Sequence, residues 1–339
     1  MTGETDMKTL LINQEKVKSL VTLKEIVDAV EKTFKGLGEG TVINPTKVNL
    51  DLGENGGYPH FDGFMNAMPA YVEWAGCAGI KWAGGFLGER RKMGLPYISS
   101  LIMLIDPKVG NFTSIMDGAH ITNIRTGAQT AVGLQYIMPK DKKKIRLGVY
   151  GAGMQGRTQV MAIAQRFTIE QVTVYDISPE ATATYAAEVQ PFVDGKIIVA
   201  QNPREVAENS EAVVSVTQSQ KPFIEYDWIA PGTPVFPMGS YQEATEELIV
   251  KSNKIIVDHM GQALHRGALA EVSHKGLVTE EKVFSTIGEL VAGKKEARIK
   301  ADEKYVCVPI GTGCMDIAVA SIVQKKAKEE GWDKFYEFV

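Results

Sequence analysis

Arg146-Leu-Gly-Val-Tyr-Gly-Ala-Gly-Met-Gln-Gly-Arg157 is the stretch that decides the fold. An apolar, β-branched run enters a turn of glycines, and the turn opens an amphipathic helix expected over 154–167, so the local order is strand, glycine loop, helix. A dinucleotide-binding turn has this order. Gly151 permits the tight bend, Gly153 lets the backbone approach a pyrophosphate, Gly156 allows close helix–strand packing, and the N–H groups at the helix start face the phosphate. A second apolar run, Gln171-Val-Thr-Val-Tyr-Asp176, ends in an acid 20 residues after Gly156. A carboxylate there accepts hydrogen bonds from the adenosine ribose and repels a 2′-phosphate, so the expected cofactor is NAD(H), not NADP(H). The alternative at this level is a glycine turn that only packs helix on strand.

Outward from this stretch, everything after Pro139 alternates strand and helix. Strands are expected at 145–150, 171–176, 196–200, 212–217, 234–238 and 254–258, with helices starting near Met154, Pro179, Pro203, Thr245 and Gln262. That rhythm gives an α/β fold with a doubly wound parallel sheet of about six strands, complete by about residue 305. Ligands of such sheets sit at the carboxyl ends of the strands, here residues 151–155, Asp176, Thr217 with Gln218, and 238–241.

Upstream the character changes. A short strand at 9–12 precedes a helix whose core face is Leu23, Ile26, Val27, Val30 and Phe34, expected to stop at the glycines of 36–40. Segments 47–52, 64–71, 77–83 and 97–105, separated by Gly-, Pro- and Asn-rich turns, form a mostly antiparallel sheet region. The run from Met116 to Leu134 is a helix made close-packing by Gly127, Ala128, Ala131 and Gly133, with Arg125 near its start. Residues 306–316 form an apolar strand and glycine loop, followed by an amphipathic helix at 317–329 that returns to the N-terminal domain. The expected division is therefore an α+β substrate and dimerisation domain, 1–138 with 312–339, and a dinucleotide domain, 139–311. The reaction cleft is expected between them, with residues 311–313 near the hinge.

The 339 residues are too many for one ordinary core, and the net charge of −4 carries no basic patch that asks for nucleic acid. The basic run Lys140-Asp-Lys-Lys-Lys144 reads as a solvated linker. Cys77, Cys307 and Cys314 fit neither a zinc site nor a disulfide framework, and the five histidines, His60, His120, His259, His265 and His274, show no metal-ligand spacing, so no metal is expected. A polar N-terminus and the lack of a long apolar run point to a cytoplasmic protein with no membrane association.

A substrate held over a nicotinamide ring needs a grip, and for an amino or keto acid that grip is cationic. The N-terminal sheet region offers Lys47, Lys81 and Arg125. Lys81 lies in Ala78-Gly-Ile-Lys-Trp-Ala-Gly84, apolar and flanked by glycines, where burial lowers an ammonium's pKa toward an acid–base range unless the lysine snorkels from an edge strand. Arg125 offers a bidentate clamp for a carboxylate or pyrophosphate, with a plain helix-surface arginine as the alternative. His259, beside Asp258 at a strand end, lines the cofactor cleft or is a structural histidine.

Several of these residues, with Ile124-Arg-Thr-Gly-Ala128, Gln155, Asp176, Thr217, Met238-Gly-Ser240, Glu247-Leu248, 287–294 and Ile310-Gly-Thr-Gly313 with Asp316, together resemble the ornithine cyclodeaminase/mu-crystallin family over nearly the whole chain in unbroken order. The resemblance implies a homodimer joined through the N-terminal sheets and a Rossmann domain carrying NAD(P). It implies Lys81 as a catalytic and substrate-binding lysine, Arg125 as a contact to both substrate carboxylate and cofactor, Ile310 as a substrate contact, and Met154, Gln155, Asp176, Thr217 and 235–238 with Gly239 as cofactor contacts. Lys47 stands where cyclodeaminases carry an arginine, which keeps the charge and loses the fork. Tyr241 stands where the family has an amine-holding aspartate, and Thr245 replaces a lysine of that loop. The implied activity is NAD(H)-dependent hydride transfer at the α-carbon of a small L-amino acid or its (cyclic) imine, with Lys81 or Tyr241 handling a proton. A redox-neutral ornithine cyclodeaminase and a non-catalytic NAD(H)-binding dimer are the alternatives. Specificity is expected from 61–68, Trp82, Phe86 and Tyr97, the last replacing a small hydroxyl residue near the nicotinamide.

Overall fold

The computed structural model describes residues 8–53 and 61–338; His60 lies outside the described residues. Two compact units emerge, one running to Arg125 and resuming at Thr312, the other spanning Thr126–Gly311. The first boundary falls inside the helix Ala119–Ile137, not at 138/139. The helix's second half explains the difference: a Cβ on Gly127 would lie 2.3 Å from the Thr158 carbonyl oxygen, and one on Gly133 would lie 3.1 Å from Phe236. Close packing on residues of the parallel unit assigns that half to it.

The first unit is built on a sheet of β1 (Lys8–Ile12), β2 (Val42–Ile43), β3 (Val48–Asp51), β4 (Gly63–Val72), β5 (Cys77–Phe86), β6 (Ile98–Ile105) and β7 (Phe112–Asp117), closed by a short C-terminal strand, Phe335–Glu337, on β1. Its order is C-terminal strand, β1, β7, β6, β5, β4, β2, with β3 also on β4. Among the described residues, all pairings are antiparallel except β1 with β7.

The helix Leu23–Glu39 begins at a capping box, Thr22 with Glu25, and buries Ile26, Val27, Val30 and Phe34. It runs through Gly36 and ends at Gly40, whose φ of +83° only glycine adopts readily. Gly36 is a packing glycine, since a Cβ there would sit 2.6 Å from Val42. The last helix, Gly313–Glu329, starts four positions before the expected 317. Asp316 therefore lies in its first turn and not in the glycine loop, and this helix packs on β4, β5 and the helix Leu23–Glu39.

The second unit is an eight-stranded, all-parallel sheet of β8 (Lys144–Tyr150), β9 (Thr168–Tyr175), β10 (Lys196–Val199), β11 (Ala212–Ser215), β12 (Pro234–Pro237), β13 (Lys254–Val257), β14 (Val283–Thr286) and β15 (Tyr305–Val308). The order is β10-β9-β8-β11-β12-β15-β13-β14. Helices between the strands complete a doubly wound Rossmann arrangement, whose order reverses between β8 and β11. Two strands exceed the expected six. β15 does not belong to the tail: Tyr-Val-Cys-Val is buried at every position and pairs on both sides, the signature of a central parallel strand.

Candidate active site

In the parallel unit, each glycine of the opening motif has a distinct geometric reason. Gly151 sits at φ +101°, and a Cβ on Gly156 would lie 1.9 Å from the Gly151 carbonyl oxygen. Around Gly153 nothing approaches within 4 Å of that position, and Gly153 begins the helix Met154–Ile163 with no side-chain cap. The loop is thus bent by one glycine, packed by another and left open at the third, at an uncapped helix start, which suits a pyrophosphate. Asp176 directly follows β9, with one carboxylate oxygen accepting from Ala152 N at 2.7 Å and the other from Ser178 N at 2.8 Å. Arg157, which the sequence reading passed over, donates to the Ala152 carbonyl and to Glu188 and Thr184 on the next helix, so the loop is held from beneath. Met154 is exposed, and Gln155 accepts weakly from the Thr158 hydroxyl.

Across the switch point, the loops after β11 and β12 meet at a buried carboxylate that the sequence reading also missed. Glu243 Oε1 accepts from Ser215 Oγ at 2.6 Å and from both Thr217 N and Thr217 Oγ1 at 2.7 Å, while Oε2 accepts from Gly239 N at 2.8 Å. Burial pushes the Glu243 carboxyl up, against the pull of its four donors. The N–H groups of Thr217 and Gly239 are therefore spent on Glu243. Met238 turns its sulfur to Thr130 Oγ1 and Gln159 Nε2. Tyr241 is half exposed, and Ile310 packs against the core of this unit, its Cδ1 closing on Gly267. His259 precedes the short helix Met260–Ala263 without capping it. Among the described residues no group of three or more His, Cys, Asp or Glu is placed to hold a metal.

In the antiparallel unit, Lys81 on β5 and Asp316 on the last helix form a buried ion pair, Nζ to Oδ2 at 2.7 Å. Asp316 Oδ1 accepts from Arg125 Nε at 3.1 Å and from Thr122 Oγ1 at 3.3 Å. Burial, followed by the charge of Arg125, draws the Lys81 ammonium from its usual 10.5 down to about 7, with Asp316 opposing and the nearby Lys47 assisting. Burial alone would raise the Asp316 carboxyl, but Arg125 and Lys81 outweigh it and keep it ionised. Two of the three expected cations, Lys81 and Arg125, thus share one carboxylate whose place in the cluster the sequence reading did not see, and the charge of Lys47 is felt at Lys81. Strand alternation corrects two of the expected specificity residues, Trp82 and Phe86, which share the face of β5 opposite Lys81. Trp82, adjacent to Lys81, points to the opposite face, 49 % exposed, in a row with Val48, Ala67 and Leu101. Tyr97 lies on the Lys81 side, its ring against Gly85, where a Cβ would be 2.3 Å away.

The sequence profile of the ornithine cyclodeaminase/mu-crystallin family matches residues 7–331. The alanine dehydrogenase of Archaeoglobus fulgidus is 32 % identical over 324 residues, covering 95 % of this chain and 96 % of that one. The structure of Thermococcus litoralis Delta(1)-pyrroline-2-carboxylate reductase in complex with NADH and L-proline superimposes with a TM-score of 0.87 at 30 % identity, over 95 % of this chain and 98 % of the other. An archaeal alanine dehydrogenase dimer with bound NAD gives 0.88 at 30 % identity, over 98 % and 100 %. The chain belongs to the ornithine cyclodeaminase/mu-crystallin family.

Proposed function

We propose that this protein is an NAD(H)-dependent oxidoreductase acting on the C–N bond of a small L-amino acid or its (cyclic) imine. The observation that carries the reading is the buried Lys81–Asp316–Arg125 cluster: a lysine drawn to about 7 exchanges a proton near neutral pH. Arg125 and Lys47 bind the substrate carboxylate, and Asp316 fixes Lys81 and Arg125 in one geometry. Lys81 gives a proton to the imine nitrogen in reduction and takes one in oxidation. NAD, when bound along the glycine loop with its adenosine ribose at Asp176, supplies the two-electron exchange at the substrate α-carbon. The relatives named for alanine and pyrroline-carboxylate chemistry support the same substrate class.

Tyr241, in place of the aspartate expected to hold a substrate amine, disfavours ornithine cyclodeamination. The test is a panel of amino acids with NAD, and of keto acids with ammonia and cyclic imines with NADH, read at the nicotinamide absorbance. Turnover should fall by about 10²- to 10⁴-fold in Lys81→Met while NADH affinity holds. Proline and ammonia from ornithine with no net NADH would select the cyclodeaminase instead. No signal in any direction from a protein that still binds NADH would leave a non-catalytic binder.

The working form is a homodimer, and the exposed apolar row Val48, Trp82 and Leu101, with Leu50 beside it, is the face that pairs. The cytoplasm suits three buried cysteines that form no disulfide, Cys77, Cys307 and Cys314.

A further inference from the structure

Within the parallel sheet, the strand order reverses between β8 and β11. Asp176 directly follows β9, so the adenosine half of a dinucleotide belongs to the β8–β9–β10 side, and the loops after β11 and β12 receive the other half. Those two loops share one buried group. Glu243 ties Ser215 and Thr217, after β11, to Gly239, after β12, through four donors on two oxygens. Its carboxylate also occupies the space a Cβ on Gly239 would need, 2.6 Å from Cδ.

This arrangement fixes the chemical polarity of the site. The Thr217 hydroxyl gives its hydrogen to Glu243 and accepts from Ser219 N at 3.2 Å. With its only hydrogen spent, Oγ1 meets a ligand solely through an oxygen lone pair. The Thr217 and Gly239 N–H groups are spent as well. What this edge asks of a ligand is therefore a donor, such as a ribose hydroxyl or a primary carboxamide, and not a phosphate. We propose that Glu243 is the positioning residue for the nicotinamide–ribose half of the cofactor: it locks the two loops together and makes Thr217 an acceptor. The inference rests on the dinucleotide reading above.

Titration calorimetry of the full chain with ADP and with NADH separates the two. ADP reports the glycine loop and Asp176, and NADH reports both halves. In Glu243→Gln the amide N–H₂ faces donors, so NADH affinity should drop by about tenfold or more, the scale of losing a charge-assisted bond, while ADP affinity stays within about twofold. Thr217→Val should reproduce that pattern and Thr217→Ser should restore NADH binding; these variants carry the test if Glu243→Gln does not fold. Equal loss of ADP and NADH would mark a merely structural role and overturn the inference, as would unchanged NADH affinity in Glu243→Gln or Thr217→Val. A parent protein that binds neither ADP nor NADH would overturn the dinucleotide reading itself, and the inference with it.

Discussion

Lys81 and Asp316 are 235 positions apart in the chain, yet Lys81 Nζ stands 2.7 Å from Asp316 Oδ2 with both side chains buried. A lone buried ammonium would shed its proton or its burial, and a lone buried carboxylate would do the same. Together with Arg125 they form two cations around one anion. The surplus positive charge suits an anionic substrate, and burial, reinforced by the charge of Arg125, weakens Lys81's hold on its proton.

The pH dependence follows from that balance. In amino-acid oxidation kcat/KM should rise with pH through an ionisation near 7, as Lys81 becomes able to take a proton. Asp316 works to keep the proton on Lys81, so Asp316→Asn should move the midpoint to lower pH. A midpoint that stays or climbs assigns the ionisation to another group. Folding carries the same sign: between about 7 and the usual 10.5 the unfolded chain binds the Lys81 proton more fully than the folded one, so this contribution to stability grows as pH rises through that window. Lys81→Met should remove that slope from urea titrations made across the window.

Cofactor choice is the second prediction. Asp176 already receives two backbone N–H groups, which hold its carboxylate against the glycine loop where a 2′-phosphate would meet it. Asp176→Ser removes the repulsion and keeps a small acceptor. The ratio of NADPH to NADH dissociation constants should shrink by about tenfold or more, with NADH itself bound somewhat less tightly. A ratio unchanged by the substitution would place the ribose elsewhere.

Oligomerisation gives the third. Leu101 and Trp82 are cross-strand partners on the face opposite Lys81, 54 % and 49 % exposed. Leu101→Lys places a charge in that row without touching the ion pair behind it. Light scattering should then find a monomer where the parent is a dimer; a variant that remains dimeric puts the interface on another surface.

How far the chain could be read before folding depended on whether a signal was local. The glycine turn, the acid 20 residues after it and the alternating strands are encoded within short windows, and each period or spacing maps directly to backbone geometry. Lys81 was visible for the same reason, as a charge inside an apolar strand. Asp316 was not, because its partner lies 235 positions away and nothing in Cys-Met-Asp-Ile marks it as buried. Glu243 looked like one more surface acid in Gln-Glu-Ala-Thr-Glu-Glu, yet it is fully buried because strand-end loops from residues 215–217 and 239 close on it. One cue existed: Gly239 precedes it by four residues, and only a glycine leaves room for that carboxylate. β15 escaped placement because sequence order says nothing of insertion between β12 and β13.

The fourth prediction separates two glycines of one motif by what surrounds them. At Gly156 a methyl group would be driven to 1.9 Å from the Gly151 carbonyl oxygen, a backbone atom that moves only if strand and helix part. Gly156→Ala should therefore lower stability by about 1–3 kcal/mol, seen as a lower thermal midpoint, and weaken NADH binding as a consequence. At Gly153 the same methyl group meets nothing within 4 Å, so Gly153→Ala should leave the midpoint within about 0.5 kcal/mol of the parent. Its cost should appear only when the pyrophosphate arrives, because a side chain at an open, uncapped helix start keeps the phosphate oxygens from the N–H groups. Loss of NADH affinity without loss of stability in Gly153→Ala, and loss of both in Gly156→Ala, is the expected contrast. If Gly153→Ala binds NADH as the parent does, the pyrophosphate does not lie against that turn.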